Sequence, residues 1–153
     1  METNLNFKQA MEEYNMITEK DYCDYETCVA LKELGYKVPA SAYYFPNGHF
    51  CFVSNPFRGG YAIDCFYSHN SLREGVVTSN YIDAPTMWEA QKWLREEKKI
   101  EVVVLSRSMI GAPYYFQVYT EDCVIADDKD YASFEEALLE GIKEAVKLLK
   151  EEA

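Results

Sequence analysis

Two stretches in the second half of the chain open with the same helix signature. Thr86-Met87-Trp88-Glu89 and Ser133-Phe134-Glu135-Glu136 each place a hydroxyl at a cap position and a glutamate three residues later. There the hydroxyl accepts from the third amide and the glutamate reaches back to the cap amide, so two orphan donors are satisfied and a helix start is fixed. Between these starts lie three runs with strand character: Glu101-Val102-Val103-Val104-Leu105, Tyr114 through Tyr119, and Cys123-Val124-Ile125. Helix, three-strand meander, helix is the grammar of an α+β domain. It predicts an antiparallel or mixed sheet of hairpins and a three-strand meander, with two to four helices packed on it.

Residue spacing assigns the faces. In the helix expected over 86–98, Met87, Ala90, Gln91 and Leu94 share one side, with Trp88 beside it and Trp93 at its boundary. Trp93 is thereby a candidate interaction residue. In the meander, Tyr115, Gln117 and Tyr119 alternate against Phe116 and Val118. Tyr115 and Tyr119 are candidate interaction residues. The closing helix, Phe134 to about Lys150, gathers Phe134, Ala137, Leu138, Gly141, Ile142, Ala145, Leu148 and Leu149 on one face. Gly141 there predicts a close approach to the sheet.

Upstream, residues 5–18 carry a weak helical pattern. Asp21 or Asp24 caps a firmer helix that Gly35 stops. Ten aromatic residues fall within 36–67. Tyr43-Tyr44-Phe45 and Phe50-Cys51-Phe52 flank Pro46-Asn47-Gly48, a strong hairpin signal. Phe50 and Phe52 then share one face, and His49 and Cys51 the other. Tyr61–Tyr67 reads as a further strand. Residues 68–85 read as a long irregular loop with one short strand at Val76-Val77-Thr78. The expected organisation is a loosely attached segment over 1–20 and a single α+β domain over 21–153.

The net charge of −11 is concentrated at the two ends. Residues 1–34 hold 8 acids and 3 bases, and residues 121–153 hold 11 and 4, whereas 35–120 are nearly balanced at 7 and 8. Binding to nucleic acid is driven largely by Lys and Arg displacing counterions, so direct nucleic-acid binding is not expected. No apolar run approaches the ~20 residues that span a bilayer. The start Met1-Glu2-Thr3-Asn4 lacks the basic-then-apolar order of a signal peptide. The five cysteines, an odd number, are expected as reduced thiols in a cytoplasmic protein.

Few arrangements carry chemistry. His49-x-Cys51 and Cys65-x3-His69 supply zinc-competent pairs on single strand faces, so His49, Cys51, Cys65 and His69 form the candidate metal set. The order of ligands matches no familiar finger spacing. Ser108 lacks the glycine two places before it that a nucleophile elbow requires. Gly59-Gly60 and Gly75 do not make a phosphate loop. Asp127-Asp128-Lys129-Asp130 lacks the glycine and the closing glutamate of a calcium loop and reads as a turn into the Ser133 cap. No catalytic set emerges.

The runs Ile82-Asp83-Ala84-Pro85-Thr86-Met87-Trp88-Glu89 and Leu31-Lys32-Glu33-Leu34-Gly35-Tyr36, with Tyr43-Tyr44-Phe45 and Ser133-Phe134-Glu135-Glu136-Ala137-Leu138, are similar to small proteins of phages and integrated elements of gut Bacteroidetes. The resemblance covers most of 22–150. It implies an origin in a mobile genome and action in a bacterial cytoplasm, and it carries no activity or catalytic residue to this chain. The expected function is that of a non-enzymatic accessory protein that binds a protein partner through acidic and aromatic surface, with a homodimer as one form. The alternative is a small-molecule or zinc-binding module around the 43–69 aromatic hairpin.

Overall fold

The computed structural model describes residues 17–52 and 81–152. The strands expected at Tyr61–Tyr67 and Val76–Thr78, with Cys65 and His69, lie outside these residues, as does the helix expected over 5–18 except for its last two positions. The molecule is α+β, and the described residues form two antiparallel three-stranded sheets. It divides into two compact units, Met1–Cys28 with Val38–Pro85, and Val29–Lys37 with Thr86–Ala153.

In the first unit, Asp24 opens helix α1 (Tyr25–Glu33) by accepting from the Thr27 amide at 2.9 Å. Strands β1 (Ala42–Tyr44) and β2 (Phe50–Phe52) form the expected hairpin. Its turn works through Pro46, which presets its own φ, and Gly48, which takes φ +86°. The Gly48 amide donates to the Phe45 carbonyl at 2.8 Å, and the Asn47 side chain accepts from the His49 amide at 3.0 Å. Strand β3 (Ile82–Asp83) pairs with the other side of β1, giving the order β2-β1-β3. Sequence reading placed these two residues in the irregular stretch. The pairing to Tyr43 and Tyr44 makes them a strand, and no local pattern announces it.

The rings of this unit pack edge to face. Tyr22, Phe50 and Phe52 form one group, with centroids 4.9–5.6 Å apart. Tyr43, Phe45 and Tyr81 form another on the opposite face, at 5.0–5.6 Å. Buried tyrosines need a partner for the hydroxyl. Tyr44 finds it in the Cys23 carbonyl at 2.8 Å, and Tyr22 in Ser41 at 2.7 Å.

The second unit takes up α1 at Val29 and closes it with a left-handed Gly35 at φ +99°. The Tyr36 amide reaches back to Leu31, and the Gly35 amide to Lys32, at 2.9 and 3.0 Å. These two bonds satisfy carbonyls that the helix end leaves open. Helix α2 (Met87–Glu97) carries the complete expected cap: Thr86 Oγ1 accepts from the Glu89 amide at 3.2 Å, and Glu89 accepts from the Thr86 amide at 3.0 Å. The meander follows as β4 (Glu101–Ser106), β5 (Tyr114–Tyr119) and β6 (Val124–Ala126), in the order β4-β5-β6. Helix α3 (Phe134–Glu152) begins at Ser133, whose Oγ accepts from the Glu136 amide at 3.1 Å.

Helix α3 covers the inner face of this sheet. Val102, Phe116 and Val118 face it, and Ala137, Leu138, Gly141, Ile142, Ala145 and Val146 answer from the helix. Burying each of the large apolar side chains stabilises the fold by about 1.5–3 kcal/mol. A Cβ built on Gly141 would lie 2.5 Å from Val102 Cγ1 and 3.2 Å from Phe116. The close approach expected at Gly141 is therefore present. Helix α2 lies beside α3 and against β4, where Gln91 Nε2 donates to the Val102 carbonyl at 2.7 Å. No helix of the described residues is long and apolar enough to cross a membrane.

Candidate interaction surface

A strand shows its side chains to alternate sides, so covering one face of β4-β5-β6 leaves the other open. The register pairs Val103 with Gln117 and Ala126, Leu105 with Tyr115, and Glu101 with Tyr119 and Val124. These residues make the outer face. It is largely apolar, and Leu105, Tyr119 and Val124 on it are exposed, Val124 at 56%. Tyr115 and Tyr119, the two meander residues expected to serve interaction, both lie here. Tyr119 donates to Gln117 Oε1. Tyr115 is half-buried beneath Arg107, whose guanidinium carbon sits 4.2 Å from the ring centroid. That stacking carries a favourable cation–π contribution, and Arg107 also pairs with Asp130 as an ion pair.

The β4–β5 turn carries further exposed apolar residues. Met109 is 93% exposed and Ile110 90%. The turn around them is braced from within: Ser108 Oγ lies 3.0, 3.2 and 3.1 Å from the carbonyls of Ile110, Gly111 and Ala112, and Ser106 Oγ donates to Gly111. Met109 has φ +73°, a left-handed conformation that costs a residue with a Cβ about 1–2 kcal/mol. Two large apolar side chains are thus held in solvent on a braced, strained turn. By sequence the segment reads as a Gly111-containing turn, and as a place where a serine nucleophile fails. An apolar Met-Ile pair directly before a glycine in a hairpin turn was the available signal.

Trp93 is placed differently from the expectation. It is 9% exposed, edge to face with Tyr36 at 5.3 Å, and Lys98 sits over its ring at 5.2 Å. The buried stripe of α2 is Met87, Ala90, Trp93 and Leu94, and Gln91 lies half-buried at its edge. Trp93 is core in this unit, because Tyr36 widens the surface that receives the helix. Trp88 is the tryptophan that faces solvent, at 42%.

Of the candidate metal set, Cys51 lies buried within β2 and His49 lies exposed immediately before it. Cys65 and His69 lie outside the described residues. Among the described residues no group of three or more His, Cys, Asp or Glu side chains is gathered to hold a metal. Cys23 and Cys28 are buried, and Cys28 is held protonated by burial first and by the neighbouring Cys23 and Asp24 second. A thiol raised in this way is a poor nucleophile.

Beyond β6, residues 127–130 bulge outward before Tyr131 rejoins β5 by mutual backbone bonds with Tyr114 at 2.8 and 2.9 Å. The turn expected from the acidic run is not what forms: 127–130 run irregularly between two pairings with β5, and the chain bends only at 132–133, before the Ser133 cap. Tyr131 donates its hydroxyl to Asp127, whose other oxygen accepts from the Lys129 amide at 3.0 Å. Burial opposes ionisation of Asp127, but these donors outweigh it, and the carboxyl is held below its ordinary range. Around β6, residues 121–130 carry five carboxylates against one lysine.

No protein-family model, curated protein or solved structure matches the chain.

Proposed function

We propose that the protein is a non-enzymatic interaction module that binds a protein partner through the outer face of β4-β5-β6 and the turn that extends it. The observation that carries this reading is the exposure of Met109 and Ile110 on the braced, left-handed turn that joins β4 to β5, together with the exposed Leu105, Tyr119 and Val124 on those strands and β6. Strain of this kind clusters at functional positions, and contiguous exposed apolar surface marks interaction sites. The surrounding carboxylates favour a basic partner and speed its encounter. The resemblance of the sequence to phage and integrated-element proteins supports an accessory role for such a module in a mobile genome.

The test is recovery of a partner by the tagged full chain from a Bacteroidetes extract. One protein retained in equimolar amount is expected, and it should be lost from the Met109→Ser/Ile110→Ser variant and from Leu105→Asp, with circular dichroism unchanged. Absence of any equimolar partner, or full retention by both variants, overturns the reading. A native mass raised by one zinc ion would move attention to the 43–69 hairpin.

A further inference from the structure

We propose that the free edge of β6 receives an extended segment of the partner, one that carries Lys or Arg on both sides of β-branched or aromatic residues. The proposal rests on the interaction reading above and names how the partner would be held.

The direction of the backbone groups follows from the ladder. The Thr120 amide donates to the Cys123 carbonyl at 2.9 Å, and the Asp127 amide to the Phe116 carbonyl at 3.3 Å. In an antiparallel pair, successive residues turn their N–H and C=O alternately toward and away from the neighbour. Positions 123, 125 and 127 therefore face β5, and the N–H and C=O of Val124 and Ala126 point off the sheet. Among the described residues, no group hydrogen-bonds to them. The opposite edge differs: at β4, Gln91 occupies the Val102 carbonyl and α2 lies alongside.

Proteins blunt open edges with lysine, proline or a covering element. Residues 124–126 contain neither residue, and Val124 is β-branched and exposed. A strand laid here would span roughly 10 Å of edge, and its outer side chains would lie beside Val124 and Ala126, in line with Tyr119. The acids decide which strand fits. Glu121 and Asp122 precede β6, and Asp127, Asp128 and Asp130 follow it. With Val124 opposite Ala126, a second copy paired antiparallel would set Asp122 of each chain directly against Asp128 of the other, and like charges across a strand pair are destabilising. A segment with basic residues at both ends meets opposite charge at both.

The probe is a display library of nine-residue segments selected on the full chain. Selected segments are expected to carry Lys or Arg on both sides of a β-branched or aromatic centre. A selected peptide should bind at least tenfold more weakly once the amides that face β6 are N-methylated, and likewise to Ala126→Pro, which removes an outward amide, with circular dichroism unchanged. Val124→Lys, which alters one exposed side chain, should repel it to a similar degree. No selected segment, selection without basic ends, or affinity indifferent to N-methylation and to Val124→Lys overturns the proposal. So does a concentration-dependent dimer that Val124→Lys dissolves, which would give the edge to a second copy. The extract-derived partner separates the two claims: loss with Leu105→Asp but retention with Val124→Lys keeps the face reading and removes the edge, and retention by both removes both.

Discussion

Gly141 and Thr27 represent opposite cases of what a single residue reveals. A glycine on the apolar side of an otherwise well-formed helix costs about 1 kcal/mol in propensity against alanine, so its presence points to a steric need, here Val102 and Phe116. Gly141→Ala should therefore destabilise the protein by about 1–3 kcal/mol through overpacking, despite the better helix former, as measured by urea denaturation. Thr27 gives no such hint. It is buried, and its hydroxyl has no hydrogen-bond partner. An unsatisfied buried hydroxyl costs about 1–3 kcal/mol. Thr27→Val keeps the shape and removes that cost, so the same measurement should show a gain of about 1 kcal/mol. Satisfaction of a hydroxyl depends on tertiary neighbours, and the residue type alone is silent about it. Trp93 was misjudged for the same reason: spacing put it at the rim of the α2 stripe, and Tyr36, distant in sequence, brings it into the core.

Elements whose boundaries are set by local hydrogen bonds were legible. The Thr86–Glu89 cap, the Asp24 start, the Gly35 stop and the Pro46-Asn47-Gly48 turn each involve residues within five positions of one another. Alternation located the meander and its two faces. Strand β3 was not legible, since two residues show no period and only β1 makes them a strand. The acidic run after β6 reads as a turn, yet it forms an irregular segment that returns to β5 at Tyr131, and its fastening was not legible. Asp127 is held by Tyr131 and the Lys129 amide, and its folded pKa lies below the ordinary carboxylate value. For a lowered acid the stabilisation is present above the unfolded pKa, about 4, and is lost as pH falls through the folded value. Asp127→Asn should thus be less stable than the native chain at neutral pH. The difference should hold constant down to about pH 4 and vanish below it, as followed by thermal unfolding across that range.

At the scale of the whole molecule, charge and apolar surface act on different steps of association. The net charge of −11 acts at a distance and is screened by salt, with a Debye length of ~10 Å at 0.1 M. On the proposed reading it sets how quickly a basic partner arrives, and the outer face and turn, acting at contact, set how long the partner stays. Composition revealed the first, because charge sums without regard to fold. The second depends on which face of the meander α3 covers, and alternation fixes that only up to a choice of side. For the partner recovered with this chain, raising ionic strength from about 0.05 to 0.5 M should slow association by about tenfold or more, with little change in dissociation. Met109→Ser/Ile110→Ser should do the reverse, leaving association nearly unchanged and speeding dissociation. Surface plasmon resonance over a salt series reads both rates. If salt altered dissociation alone, the acids would be part of the contact rather than its approach field; if the turn variant slowed association instead, Met109 and Ile110 would act in the encounter and not in the bound state.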